Sequence, residues 1–472
     1  MEIVHVSAEC FPVAKVGGLA DVVGALPKYQ QSSGHIAKVV MPMYRTKFLY
    51  DNEWELVHEG GAYMGNNSSH YSVIKEKTNR LGFDLYLIDV NGLLDRERVY
   101  GYHDDTERFL SFQIAFCDWL SHWQHRPDII HVHDHHTALI PFMLSNCYAY
   151  NHLGGIPTLL TIHNAQYQGW FGWDKRHLLP PFDNWKAGLL DWSNTINPLA
   201  CGIKCAWRVT TVSNSYMHEL FEAANGLESL LRHEKAKCTG ILNGIDDEVW
   251  DPQTDAHLFL NYSTKTIAKG KTENRKRLCE AFGLNPDKPL FVFIGRLVGE
   301  KAADLLPQAI TDAFTHIGRD MSILVLGSGE PAVEEQLLAL KERFPVDYNL
   351  FIGYNETLSH QMYAGADFLL MPSRVEPCGL NQMYAMRYGT VPIVSSTGGL
   401  KDTVVDISEP DGYGVRFDYP TIGELTHAIY RALDLYKRSD ELDKVRKTIM
   451  TLNFSWNRSA AEYLEVYSSL VH

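Results

Sequence analysis

Residues 3–26 read I-V-H-V-S-A-E-C-F-P-V-A-K-V-G-G-L-A-D-V-V-G-A-L. An apolar run from Ile3 to Val6 opens the stretch, and Leu19 to Leu26 carries the spacing of a helix. The loop between them holds Glu9, Lys15 and the pair Gly17 and Gly18, with Asp21 just inside the helix. Paired glycines let backbone amides approach a ligand or adopt positive φ, and helix starts attract anions. Lys15 could place a point charge on a phosphate or a sugar oxygen. A plain strand-to-helix turn with a surface lysine fits the same residues, and this stretch alone does not separate the two.

The strand–loop–helix unit recurs. Further strands are expected at Lys38–Pro42, Asp84–Ile88, Ile129–His133, Thr158–Ile162 and Val209–Ser213. A second series falls at Leu290–Ile294, Ile323–Leu326, Leu350–Ile352, Phe368–Met371, Val391–Val394 and Gly414–Phe417. Nearly continuous hydrophobic strands alternating with helices predict an α/β fold with parallel sheets covered on both faces. The alternation breaks between residues 243 and 290, where N-G-I-D-D-E-V-W-D-P leads into a polar stretch. Two doubly wound, Rossmann-like domains are therefore expected, 1–246 and 247–457, facing each other across a cleft. Ligands of such folds sit outside the carboxyl ends of the strands, in the strand-to-helix loops.

The chain has 472 residues, 45% hydrophobic and 21% charged, an ordinary globular composition. A net charge of −14 argues against a nucleic-acid or acidic-membrane binder. Any anion site must be a local gathering of Lys, Arg and amides. The eight cysteines are scattered, with Cys201 and Cys205 at helical spacing, which favours reduced thiols. With no run of about 18 apolar residues and no targeting peptide in M-E-I-V-H-V, the expected compartment is the cytoplasm.

The loops after the strands collect polar residues. H-V-H-D-H-H (131–136) and H-N-A-Q-Y-Q-G (163–169) follow two strands of the first half. In the second half come G-R-L-V-G-E-K with Arg296 and Lys301, G-S-G-E-P-A from Gly327, and G-Y-N-E with Tyr354. P-S-R-V-E-P-C-G-L and S-S-T-G-G-L follow. Basic residues and glycine-rich helix starts in register suggest one diphosphate held from two sides. The histidines at 131, 133, 135 and 136 invite a metal, but no zinc-type spacing accompanies them, so packing or substrate hydrogen bonds are favoured. G-S-G-E-P-A matches the short dinucleotide fingerprint, yet the acidic partner about 20 residues on is not placed, which disfavours an oxidoreductase. Q-Y-Q-G-W-F-G-W (166–173) reads equally as a sugar platform or as a loop packed under its own aromatics.

As a set, these loops resemble the bacterial glycogen synthases and plant starch synthases, retaining glycosyltransferases of GT-B architecture. The resemblance rests on K-V-G-G-L-A-D-V-V-G-A-L-P (15–27), T-I-H-N-A-Q-Y-Q-G (161–169), I-L-N-G-I-D (241–246), G-R-L (295–297), P-S-R-V-E-P-C-G-L-N-Q (372–382) and S-T-G-G-L-K-D-T-V (396–404). It implies transfer of glucose, with retention, from ADP-glucose to the non-reducing 4-OH of an α-1,4-glucan. It implies no metal and no cofactor, and a helix at 458–472 returning to the first domain.

The resemblance also distributes roles. Arg296 and Lys301 would grip the diphosphate, and Glu376 would orient the glucose. His163 and Asp134 would lie beside the anomeric centre and the sugar or acceptor hydroxyls. Donor contacts are expected from Lys15, Gly17, Gly18, Glu9, Asp21, Asn243, Gly327, Tyr354, Cys378, Gly379, Leu380, Gly398 and Gly399, and acceptor contacts from Tyr167 and Trp170. Three positions stand out: Ala302 where many relatives have glycine, Asn381 where threonine is frequent, and Tyr384 where the broader retaining GT-B pattern has a second glutamate that the synthase branch commonly lacks too. Two other readings remain: a related transferase using UDP-glucose, such as a sucrose- or trehalose-type synthase, and a non-catalytic glucan-binding scaffold. Oligomeric state is not legible.

Overall fold

Strand β1 (Glu2–Val6) is buried from Ile3 onward, His5 included, as expected of a strand covered on both faces. The computed structural model describes residues 1–471. They divide into two units: Met1–Asn243 with the segment from Trp456, and Gly244–Ser455. The sequence reading placed these divisions at 246 and 457.

The first unit contains β2 (Ile36–Pro42), β3 (Trp54–Met64), β4 (Asn67–Glu76), β5 (Asp84–Val90), β6 (Ile129–His133) and β7 (Thr158–Ile162). It continues with β8 (Asp191–Trp192), β9 (Thr195–Ile196), β10 (Arg208–Thr211) and β11 (Cys238–Gly240). Nine of these form one sheet in the order β11-β10-β7-β6-β1-β2-β5-β4-β3, while β8 and β9 pair separately. The sheet is parallel from β11 to β5, and β4 and β3 are antiparallel. The second unit holds β12 (Leu290–Ile294), β13 (Ser322–Gly327), β14 (Tyr348–Ile352), β15 (Phe368–Met371), β16 (Val391–Ser395) and β17 (Val415–Phe417). Its order is β14-β13-β12-β15-β16-β17, all parallel.

Renumbered from their own first strands, and with the β3–β4 hairpin set aside, the sheets run 3-2-1-4-5-6-7 and 3-2-1-4-5-6, the order of a doubly wound dinucleotide-type fold with one extra parallel strand in the first. In each, the connections diverge from the first strand, leaving a crevice at one switch point. That point lies between β1 and β6 in the first unit and between β12 and β15 in the second.

Two elements differ from expectation. The first helix runs Gly18–Ser32, through Pro27, instead of ending at Leu26. Pro27 has no N–H to give the Val23 carbonyl, and that oxygen receives the Cys10 thiol at 3.6 Å. The helix continues because Val22, Leu26 and Tyr29 pack against Trp456, Ala460, Tyr463 and Tyr467 of the helix Trp456–Ser468. The β3–β4 hairpin was not anticipated. Its two-residue turn, Gly65–Asn66, is a recognised hairpin signal. Most of β3 is solvent-facing and carries the Gly60–Gly61 pair, so no clean alternation marks it. Among the described residues no helix is long and apolar enough to cross a membrane.

Candidate active site

The chain leaving β1 at its switch point reaches Glu9, whose side chain is buried. Glu9 Oε2 accepts the Val16 N–H at 2.6 Å and the Gly17 N–H at 3.0 Å, and Oε1 accepts the Tyr100 hydroxyl at 2.6 Å. Burial pushes the Glu9 carboxyl upward. The loop ahead of the helix thus already holds an anion, the chain's own carboxylate. The Gly17 amide is therefore turned toward Glu9, and of the two glycine amides expected to meet a ligand only Gly18 is left for that. Lys15 Nζ sits 2.7 Å from Asp21 Oδ1 and 5.5 Å from the Phe11 ring.

Neither glycine is demanded by the fold. Gly17 has an extended backbone, φ −142°, and Gly18 is not among the positive-φ glycines. A Cβ built on either meets nothing within 4 Å. A bare turn leaves both glycines unexplained, whereas close approach of a ligand to the backbone explains them.

Across the switch point, β6 delivers Asp134, at φ +57°, a conformation aspartate tolerates better than most residues. Its Oδ1 accepts the His163 N–H at 2.7 Å, which ties the ends of β6 and β7 together. The His163 ring is buried, with Nε2 3.0 Å from His133 Nδ1. The loop bearing Tyr167 and Trp170 reaches the same place: a Cβ on Gly169 would meet the His135 ring at 2.3 Å. Both aromatic rings are exposed while Phe171 beside them is buried, as a sugar platform would require. Asn243 is buried, and its Oδ1 has no hydrogen-bond partner.

His5, His131 and His133 lie close enough to share an ion. Their nitrogens are engaged otherwise: His5 with His133 and Gln30, His133 with His163, and His131 with Tyr467 and Thr161.

Burial raises the Asp134 carboxyl to about 7 and lowers the His163 ring to about 3. Between pH about 4, where the unfolded carboxyl ionises, and about 7, the folded chain holds the extra proton on Asp134. Stability from this group therefore falls as pH rises through that window. His163 acts in the opposite sense: between about 3 and 6.5 the unfolded chain binds more protons, so its contribution rises with pH. Asp134→Asn removes only the falling part. Its urea midpoint should climb more steeply than wild type from pH about 4 to about 7, and parallel curves would refute the buried-carboxyl assignment.

In the second unit the switch point presents Arg296 after β12 and Glu376 after β15. Lys301 Nζ sits 2.6 Å from both Glu376 oxygens, and Ser373 Oγ donates to Oε2 at 2.8 Å. Arg296 is mostly exposed, with Nη2 only 3.3 Å from Glu300. Tyr354 presents a free ring face at 79% exposure, its hydroxyl on Glu356. Ala302 sits at φ +52°, ψ +33°, the left-handed region where glycine is unstrained, so the common glycine at this position has a backbone reason.

Gly398 and Gly399 have a packing task. A Cβ on Gly398 would lie 1.9 Å from Glu376 O, and one on Gly399 2.0 Å from Cys378 O. Gly399 N–H also donates to Glu376 O at 3.1 Å. The S-S-T-G-G-L loop is pressed against the backbone carrying Glu376, and only glycines permit it. A Cβ on Gly327 would likewise lie 2.0 Å from Gly295 O. Gly379, at φ +74°, turns the chain between buried Cys378 and half-buried Leu380 into the helix Asn381–Arg387.

Sequence reasoning missed Ser373, Tyr100, His5 and Gln30. Ser373 was in plain view three residues before Glu376, whereas Tyr100 meets Glu9 across 91 residues, with no local signal.

The chain matches the family model described as "Starch synthase catalytic domain" over residues 2–233, and "Glycosyl transferases group 1" over residues 274–448. It is 53% identical over 471 residues to the glycogen synthase of Flavobacterium johnsoniae, covering 100% of this chain and 99% of that one. The catalytic domain of starch synthase IV from Arabidopsis thaliana, solved with ADP and acarbose, superposes with a TM-score of 0.89 at 32% identity, covering 100% and 99% of the two chains. Sucrose-phosphate synthase from Thermosynechococcus elongatus shares the fold, with a TM-score of 0.63 at 17% identity over 100% and 99% of the chains. Full-length likeness to one group of enzymes, on a doubly wound frame with basic and carboxylate side chains at its switch points, makes this chain a member of the glycogen and starch synthase family of glycosyltransferases.

Proposed function

We propose that this protein extends an α-1,4-glucan by transferring glucose, with retention, from ADP-glucose to the non-reducing 4-OH. The observation that carries the reading is the grouping of Arg296, Lys301 and Glu376 at the switch point of a 3-2-1-4-5-6 sheet. Arg296 and Lys301 stabilise the negative charge that grows on the nucleotide as the C1–O bond breaks. Glu376, fixed by Lys301 and Ser373, keeps acceptor capacity for sugar hydroxyls. The exposed Tyr354 ring offers a stacking face for the base. Lys15 adds a cation to the phosphates, Asp134 and His163 serve the sugar, and Tyr167 and Trp170 serve the acceptor.

Retention through a covalent intermediate needs a free carboxylate nucleophile. Both Glu376 oxygens are held by Lys301, and Asp134, whose Oδ1 accepts the His163 amide, is held by burial up at about 7. These contacts support same-face departure and attack, with the acceptor proton passing to the leaving phosphate oxygen. The eight cysteines, none in a disulfide, fit a reducing, cytoplasmic compartment.

The test incubates purified protein and a glycogen primer with ADP-glucose or UDP-glucose and follows nucleotide release and the anomeric configuration of the new bond. Release from ADP-glucose with an α-linked product is expected. Preferential release from UDP-glucose would overturn the donor assignment, and no release from either would overturn the function. A glucosyl adduct on Asp134 or Glu376 would overturn the same-face course.

A further inference from the structure

Behind His163 runs a buried chain that the proposed transfer does not use. His163 Nε2 lies 3.0 Å from His133 Nδ1, His133 Nε2 lies 3.0 Å from His5 Nδ1, and His5 Nε2 lies 2.8 Å from Gln30 Oε1. On the other side of Gln30, Nε2 donates to the Tyr467 hydroxyl at 3.1 Å. That oxygen lies 2.7 Å from His131 Nδ1, and His131 Nε2 lies 2.6 Å from Thr161 Oγ1. Gln30 is fully buried, and Tyr467 stands on the helix Trp456–Ser468.

Counting protons along the chain fixes its polarity. An amide oxygen only accepts, so His5 must carry its proton on Nε2. A neutral ring has one bare nitrogen, so His5 Nδ1 is an acceptor and His133 must donate to it from Nε2. His133 Nδ1 is then bare, and His163 must donate from its own Nε2. The ring nitrogen left over, His163 Nδ1, carries a lone pair. Every ring in the row is held neutral by burial, His5 lowered to about 4, His163 to about 3, and His131 and His133 well below their ordinary value. Turning the Gln30 amide end for end would reverse each bond and move the His163 proton to Nδ1. In the structure Gln30 Nε2 donates to the Tyr467 hydroxyl at 3.1 Å; the turned amide would need Tyr467 to donate to Gln30 and His131 to donate to Tyr467 from Nδ1.

We propose that Gln30, anchored by Tyr467 and acting through His5 and His133, is a positioning residue that holds His163 in the Nε2–H form, presenting Nδ1 as a hydrogen-bond acceptor to a hydroxyl of the bound sugar. A sugar hydroxyl then meets a lone pair, where the reversed chain would meet it with an N–H. The link to sugar rests on the transferase reading, whereas the position of the proton does not.

The test is a long-range proton–nitrogen NMR spectrum of protein labelled with nitrogen-15 histidine, the His163 signals being identified by their loss in His163→Gln. In the ligand-free native protein His163 should be protonated on Nε2. In Gln30→Met, near-isosteric and without an amide, the Nδ1–H form should appear. Tyr467→Phe should shift the balance the same way by less. In the glucan-extension assay Gln30→Met should lower kcat about tenfold, the worth of one hydrogen bond, with the donor KM within about twofold. Protonation on Nδ1 in the native protein would overturn the proposal, as would a His163 spectrum unmoved by Gln30→Met. If Gln30→Met fails to fold, the native spectrum and Tyr467→Phe still decide the matter. Inactivity of the native protein would defeat the transferase reading and leave the tautomer result standing.

Discussion

Glu376→Ala is expected to lower kcat by about a thousandfold, the scale of removing a preorganised polar group from a reacting centre, while the protein remains folded. Two effects combine. The glucose loses a fixed hydrogen-bond acceptor, and Lys301 loses the carboxylate that aims it, both oxygens of which lie 2.6 Å from its ammonium. Lys301 then has freedom to leave the position in which it would meet the leaving phosphate, and misplacement by about 1 Å can cost a hundredfold. Stability should suffer less. Lys301 is 24% exposed and can find water, so the lost pair costs on the order of 1 kcal/mol, or roughly 2–4 °C for a domain of this size. Initial rates with ADP-glucose and a melting curve check both parts. Retention of activity within about tenfold would remove Glu376 from the reacting centre.

Gly17→Val should give the complementary result: an unchanged melting midpoint and a fall of about a hundredfold in kcat/KM for the nucleotide sugar. The backbone at Gly17 is extended, with no left-handed strain to relieve, and a Cβ built there meets no protein atom within 4 Å. Nothing in the fold resists the valine. A diphosphate passing over the loop would. Because the Gly17 N–H stays on Glu9, the loss would come from blocked space and not from a lost amide bond. Wild-type kinetics in this variant would return the stretch to a plain turn.

How far the sequence carried can be judged from these residues. Strands β6, β7, β12 and β15 lie where their apolar runs predicted, because they are buried on both faces and unbroken. The placement of Arg296, Lys301 and Glu376 was legible for the same reason, since each follows such a strand. What escaped depends on distance along the chain. The pairing of Glu9 with the Val16 and Gly17 amides reverses the expected direction of the loop, and no pattern of types reveals which way an amide points. Gly398 and Gly399 read as ligand glycines, but that the Glu376 and Cys378 carbonyls are also pressed against them could not be foreseen. The helix through Pro27 persists on the strength of contacts with residues some 430 positions later.

Those late contacts bear on how the protein is made. The cluster joining Ile3, Val22, Leu26, Ile129 and Leu159 is closed by Trp456, Tyr463 and Tyr467. All of Gly244–Ser455 must leave the ribosome first, which at about 5–20 residues per second takes roughly ten to forty seconds. Throughout that interval the nascent first unit carries an uncovered apolar face, while the second, being one uninterrupted stretch, can complete itself as it emerges. The half translated second is thus finished first, and the half begun first waits for its cover.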